Sequence, residues 1–227
     1  MRINKFLARE SGLSRRSADR AIENGEVRVN GTVVELGSIL NEGDNVTFHG
    51  QSYPYTLAAS SHTLVLLHKP IGYVCSRNGQ GSKTVYDLLP EEFQSLKPIG
   101  RLDKDSSGLL LLTDDGDLAY QYTHPKFEKE KIYEVELDRQ LEPDDRRKIE
   151  MGVQLDDGLS HLAFISASGI RHPDSTHQTV RMTEGRNRQI RRTFAALGYA
   201  VTHLHRTAFG PYQLGDLSSG KYKRIVL

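Results

Sequence analysis

Four consecutive leucines, Leu109 to Leu112, stand between turn residues: Gly108 before them and Asp114-Asp115-Gly116 just after. A run this short and apolar at every position predicts a β-strand covered on both faces. The strand also anchors the loop ahead of it, Gly100-Arg101-Leu102-Asp103-Lys104-Asp105-Ser106-Ser107-Gly108. That loop sets one carboxylate, Asp103, between an arginine and a lysine, with glycines at both ends that let another backbone come close. Nearby opposite charges favour the ionised form of a partly desolvated aspartate. An ionised and positioned carboxylate is a nucleophile or a base. A turn carrying surface charges has the same local pattern.

The chain has 227 residues, room for one ordinary domain and a small one. No apolar run approaches the ~18 residues of a membrane span, and Met1 to Phe6 lacks the apolar stretch of a signal peptide. The single cysteine, Cys75, leaves no partner for an internal disulfide and suits a reducing compartment. A cytoplasmic protein is expected. The net charge of +1 points to no partner, but its distribution does. Residues 1–28 hold seven Arg/Lys against four Asp/Glu, and residues 181–227 hold nine against two. Basic ends on a neutral chain suggest local patches that meet phosphates, or else solvated faces.

At the N-terminus, Ile3, Phe6 and Leu7 fall at helical spacing and Gly12 stops the helix. Ser14 can cap a second helix whose inner stripe is Ala18, Ala21 and Ile22, closed by Asn24-Gly25. Arg15, Arg16 and Arg20 then lie on its outer side. Val27 and Val29 alternate into an Asn30-Gly31 hairpin turn, with Val33 on the return and a further strand holding Val46 and Phe48. The stretches Arg2 to Leu7, Gly12 to Arg16 and Gly25 to Gly31 resemble the α-L RNA-binding domain, named for a small-subunit ribosomal protein. The resemblance implies that the second helix meets structured RNA, where several fixed cations on one surface contact phosphates. This domain is expected over residues 1–50. Residues 51–62, with Gly50 and Pro54 nearby and no clear periodicity, read as a linker.

A second domain is expected over residues 63–227. Leu64 to Leu67 is its first buried strand and runs into Lys69-Pro70-Ile71-Gly72, taken as a structural turn. Short helices are expected from Thr84 to Leu89 and from Asp117 to His124, and an acidic surface helix from Pro143 to Met151. In the strand Ile132 to Leu137, Tyr133 shares the apolar face with Val135 and Leu137, the pattern of a core tyrosine. Three Asp-Asp pairs, at 114–115, 144–145 and 156–157, have no spacing that suggests paired catalysis and read as solvated. Near the C-terminus, Ile190, Phe194 and Leu197 form one helical face. At roughly 100° per residue Arg191 borders that face and can reach a cleft, while Arg188 and Arg192 point away from it. His203 and His205 share a strand face without the partners a metal site requires.

The loop Gly100 to Leu109 is similar to the signature of the RsuA/RluB branch of pseudouridine synthases. Lys69-Pro70-x-Gly72, Lys131-Ile132-Tyr133 and Gln189-Ile190-Arg191-Arg192 resemble its other motifs in the same order, with His68 where the family has asparagine. The resemblance implies an α+β catalytic domain with a mixed, largely antiparallel sheet and a central cleft. It implies catalysis by Asp103, an ion pair from Arg191 to Asp103, Tyr133 packed on the target base, and Arg101 filling the gap left in the RNA stack. More weakly it puts Leu204 in the base pocket. Arg188 and Arg192, with Arg15, Arg16 and Arg20, would meet phosphates. The reaction turns a uridine N-glycoside into a C-glycoside without redox change, so no cofactor or metal is expected. The partner would be ribosomal RNA or a pre-ribosomal particle, with no membrane, and the protein a monomer. Residues 184–189 look more like the large-subunit rRNA members, whereas the chain length resembles the small-subunit type. Two other classes stay open: an RNA-binding or ribosome-assembly factor without activity, and a glycoside hydrolase, which normally needs two cooperating carboxylates.

Overall fold

The computed structural model describes residues 1–56, 62–165 and 176–226. The chain divides into two compact units, Met1–Ser60 and Ser61–Leu227. No helix among the described residues is long and apolar enough to cross a membrane.

The first unit begins with helices α1 (Ile3–Ser11) and α2 (Arg15–Glu23). Gly12 ends α1 in the left-handed conformation at φ 74°, and the Ser14 hydroxyl caps α2 by accepting from the Ser17 amide at 3.0 Å. Strands β1 (Val27–Val29), β2 (Thr32–Val33), β3 (Asn45–Phe48) and β4 (Gln51–Pro54) pair in the order β2-β1-β3-β4. Asn30 and Gly31 both have positive φ, as a two-residue hairpin turn requires. Ile3, Phe6, Leu7, Ala18, Ala21, Ile22, Val27 and Val46 meet in one core. The inner stripe of α2 thereby leaves Arg15, Arg16 and Arg20 exposed, and none forms an ion pair among the described residues.

The expected linker starts too early. Residues 51–54 pair antiparallel with β3, and Tyr55 is buried with its ring 5.3 Å from that of Phe6. As the edge strand of the small sheet, β4 keeps most of its side chains in water and tolerates Pro54 at its end, so its sequence shows no apolar alternation. Residues 57–61 of the expected linker lie outside the described residues.

The second unit is built on one mixed sheet. Its strands are β5 (Thr63–Lys69), β6 (Lys97–Ile99), β7 (Ser107–Thr113), β8 (Lys131–Leu137), β11 (Ala163–Phe164), β12 (His177–Met182), β13 (Val201–Phe209), β14 (Tyr212–Gln213) and β15 (Tyr222–Val226). The main path runs β11-β12-β8-β13-β7-β5-β15, with β14 beside β13 and β6 beside β7. Only β13 and β7 pair in parallel among these strands. A separate hairpin joins β9 (Val153–Leu155) and β10 (Gly158–Ser160). Helices α3 (Gly116–Thr123), α4 (Pro143–Met151) and α5 (Gln189–Ala195) complete the unit. A short 3-10 turn, Val85–Leu88, stands where a helix was expected.

All seven residues of β7 are buried. Leu109 and Leu111 pack with Leu64, Ile99, Tyr122 of α3 and Phe209. Leu110 and Leu112 belong to the other core, with Val65, Tyr133, Ile149 of α4 and Phe194 of α5. Period-two alternation thus sends successive leucines into opposite apolar layers, and burial of each contributes about 1.5–3 kcal/mol. β7 lies inside the sheet, between β13 and β5, with the Asp103 loop leading into its first residue.

Candidate active site

The Asp103 loop is tied down from below. Lys69, at the end of β5, is fully buried, and its Nζ donates to the carbonyls of Pro70 at 3.0 Å, Asp103 at 2.9 Å and Ser106 at 2.6 Å. Burial pushes the Lys69 ammonium pKa down, while the negative charges nearby, Asp103 and Asp105 among them, oppose the shift. The Gly72 amide donates to the Lys104 carbonyl at 2.7 Å. The Lys-Pro-Ile-Gly turn is therefore the clamp on the loop. Cys75 completes it, with Sγ 3.4 Å from both the amide and the carbonyl of Leu102. Burial raises this thiol's pKa, which keeps it protonated and unreactive.

The arginines arrive from α5, in a different arrangement from the expected one. Arg191 does not pair with Asp103. Its Nη2 donates to the Asp105 carbonyl at 2.9 Å and lies 3.4 Å from Ser106 Oγ, its Nε is 3.4 Å from the Asp105 carboxylate, and its Nη1 donates to the Val201 carbonyl at 2.7 Å. It braces the loop's backbone against β13. Arg188 is the residue that reaches Asp103, at 3.4 Å, while holding both oxygens of Asp105 at 3.0 and 2.8 Å. That bidentate grip pulls the Asp105 pKa below the usual carboxylate range. Arg188 was expected to face outward because the helical wheel was extended to it. It stands instead ahead of α5 as the N-cap in the left-handed region, φ 45°, which turns its side chain toward the loop.

Arg192 does lie on the outer side of α5, but it is not free. It pairs with Asp156 at 2.8 Å and Asp157 at 2.6 Å, in the turn between β9 and β10. Asp157 also takes Arg186 at 2.8 Å. The acidic pair expected to be merely solvated neutralises the arginine expected to meet phosphates. Arg101 and Lys104, the neighbours of Asp103 in sequence, make no ion pair with it. Arg101 is exposed and makes no hydrogen bond or ion pair among the described residues.

Asp103, about a third exposed, borders a cavity of about 480 Å³. Tyr133 and Leu204 form part of its wall, at 7% and 6% exposure, and Arg101 and Arg188 also line it. Tyr133 is at once a core residue and a cavity residue, because β8 runs beside β13 at the cavity's inner wall. Met182 and Phe209 add apolar surface. Lys131 enters at the start of β8, donating to the carbonyls of Lys129, Thr183 and Glu184. Burial, reinforced by repulsion from Arg206, pushes the pKa of Lys131 down to about 8.

Three cavity or loop residues escaped sequence reasoning. In the sequence Lys69 reads as part of a turn, and Asp105 as one more charge of the loop. Arg206 carried a readable signal: it shares a strand face with Leu204 and Ala208, both buried. His205, on the other side of that strand, bonds Ser107 Oγ at 2.8 Å and stacks on His203 with ring centres 6.0 Å apart. The arrangement offers an anchored carboxylate beside an open, partly apolar pocket with an aromatic wall and a basic rim. Such a pocket suits a planar ring taken from a polyanion.

Comparison with known proteins gives the same outline. A family model described as RNA pseudouridylate synthase matches residues 63–196, and one for the S4 domain matches residues 1–46. The chain is 35% identical to the ribosomal large subunit pseudouridine synthase B of Bacillus subtilis, over 99% of this chain and 92% of the relative. It is 34% identical to the ribosomal small subunit pseudouridine synthase A of Vibrio vulnificus, over 100% and 96%. A crystal structure of a pseudouridylate synthase superimposes with a TM-score of 0.68 at 31% identity, covering 99% of this chain and 96% of that one.

Proposed function

The chain belongs to the RNA pseudouridylate synthase family, and from that premise we propose that it converts one uridine of ribosomal RNA to pseudouridine with Asp103 as the reacting carboxylate. The observation that carries the reading is the placement of Asp103. Its loop is clamped by the Lys69 ammonium and braced by Arg191, while its carboxylate stays accessible at the cavity mouth. In the reaction the C1′–N1 bond breaks, the base turns, and a C1′–C5 bond forms as the C5 hydrogen leaves as a proton. Asp103 attacks the sugar, adds to the base or removes the 2′ proton; each step needs an ionised oxygen held at a fixed point.

Tyr133 packs against the base once it has left the RNA stack, and its ring restores part of the lost stacking. Leu204 lies beside it in the pocket wall. Arg101, exposed and lining the cavity, occupies the space the base vacates. Arg15, Arg16 and Arg20 of the S4 domain hold the RNA by its phosphates. The substrate is assigned to large-subunit rRNA on the string Glu184-Gly185-Arg186-Asn187-Arg188-Gln189. In this string Gln189 bonds Glu184 and Ser160, and Arg186 pairs with Asp157, which gives the cavity rim its shape.

The test is tritium release from rRNA labelled at uridine C5, run on large- and small-subunit transcripts. Pseudouridine formation must expel that hydrogen; RNA binding or hydrolysis would not. Asp103→Asn nearly preserves shape but is a poor nucleophile and base. It should release no measurable tritium while keeping its fold and RNA affinity. Turnover near the wild-type rate in this variant would remove Asp103 from the chemistry. Release from the small-subunit transcript alone would overturn the substrate assignment.

A further inference from the structure

Arg206 sits on the inner face of β13, 2% exposed. Its Nε donates to the Leu109 carbonyl at 2.7 Å, and its Nη1 is 3.4 Å from the Tyr133 hydroxyl. Its guanidinium carbon lies 4.9 Å from the centre of the Phe209 ring. Its Nη2 is buried and has no acceptor among the described residues. No carboxylate pairs with it there either, and its charged neighbours Lys69 and Lys131 are cations that its own field destabilises. An arginine cannot shed its proton to escape this. A buried cation without an anion, and a buried N–H without an acceptor, are both strongly unfavourable. Packing alone does not account for a group so costly, lining the same cavity as Tyr133 and Leu204.

We infer that Arg206 is the cavity's donor to the extruded base, its free Nη2 taking a ring carbonyl oxygen and its charge stabilising the anion that forms there. This rests on the isomerase reading above. Where Asp103 acts on the sugar, the electron pair of the C1′–N1 bond leaves with the base and spreads from N1 onto O2 and O4. Where it adds to the ring, the displaced pair falls on the O4 enolate, so a ring carbonyl oxygen carries negative charge on either route. A preorganised donor in a site shielded from water stabilises that charge more than it stabilises the neutral uridine, which is what accelerates a reaction. Asp103 thus acts from the pocket entrance, and Arg206 on the carbonyl oxygens of the base within it.

The experiment measures single-turnover breaking of the C1′–N1 bond, read as loss of the original nucleoside by chromatography after digestion, on matched RNA fragments carrying uridine or 5-fluorouridine at the target. The fluorinated ring rejoins through C5 without losing fluorine, so it is scored by disappearance of 5-fluorouridine. Fluorine already stabilises the anionic ring. Arg206→Gln should slow conversion of the uridine RNA by about 10²- to 10³-fold, and clearly less for the fluorinated RNA, with RNA affinity and its salt dependence unchanged. Arg206→Lys keeps the charge and should recover part of the rate. It also keeps the test alive if the glutamine variant does not fold, since its own penalty must shrink with fluorine too. Equal penalties on the two RNAs, or wild-type conversion by Arg206→Gln, would overturn the inference. So would a flattened salt dependence of binding, which would make Arg206 a phosphate contact. Failure of the wild-type protein on both RNAs would instead strike the isomerase reading itself.

Discussion

Arg188 and Arg191 show how differently two charges of one sign can serve a single aspartate. Arg191 donates from both terminal nitrogens to loop and strand and ion-pairs with Asp105, so Arg191→Ala should let the Asp103 loop drift. A displacement near 1 Å costs about 10²-fold in rate, and tritium release with RNA binding intact would report it. Arg188 is roughly two-fifths exposed and its contact with Asp103 is long. Arg188→Ala should leave the rate within about fivefold while weakening RNA binding. The opposite ranking would move the ion-pair role expected of Arg191 to Arg188. For Tyr133, the phenylalanine variant keeps the ring and the alanine variant loses it, so Ala should be worse by about 1–3 kcal/mol of stacking. Equal losses in turnover would move the role to the hydroxyl. Lys131 adds a pH signature. Its folded pKa of about 8 lies below the ordinary 10.5, so between those values the unfolded chain binds more protons. Stability therefore rises with pH across that window. Urea titrations of Lys131→Met should show a shallower rise from pH 8 to 10.5 than the wild type.

At the scale of elements, the parallel contact of β7 with β13 is the structural centre of the site. Gly108 faces Arg206 across it, with φ 109°, and a Cβ there would lie 2.2 Å from the Arg206 carbonyl oxygen. Gly108→Ala should therefore cost roughly 2–4 kcal/mol by forced backbone movement and an unfavourable φ. Chemical denaturation would measure it, and a loss under ~0.5 kcal/mol would show that the strands separate easily. The glycine at the end of the signature loop was legible in sequence as a close approach, but the approaching strand was not, since β13 lies almost a hundred residues away. The same limit explains Arg188. The spacing of Ile190 and Phe194 identifies α5, whereas its first residue depends on Gln189, whose side chain bonds Ser160 and the Arg186 amide.

Across the whole molecule, the basic character is divided. Among the described residues the S4 domain presents Arg15, Arg16 and Arg20 without ion-pair partners, while several arginines of the second unit are committed to aspartates. Removing residues 1–60 should leave a folded second unit, weaken rRNA binding, and reduce the salt slope by roughly three, as three lost phosphate contacts to structured, base-paired RNA would. An unchanged slope would place the RNA anchor elsewhere.

Local information sufficed for both helices of the first unit, the hairpin at Asn30-Gly31, the doubly covered strand at Leu109–Leu112 and the glycine-bounded loop that holds Asp103. Each follows from spacing, capping or turn chemistry within a few residues. The family was legible too, because its motifs are short and contiguous. Tertiary structure alone decided that Arg188 reaches Asp103, that Asp156 and Asp157 occupy Arg192, that Lys69 clamps the loop, and that Arg206 is buried with no anion beside it among the described residues. Those pairings join residues far apart in the chain, and a guanidinium's partner is whichever carboxylate folding brings within reach.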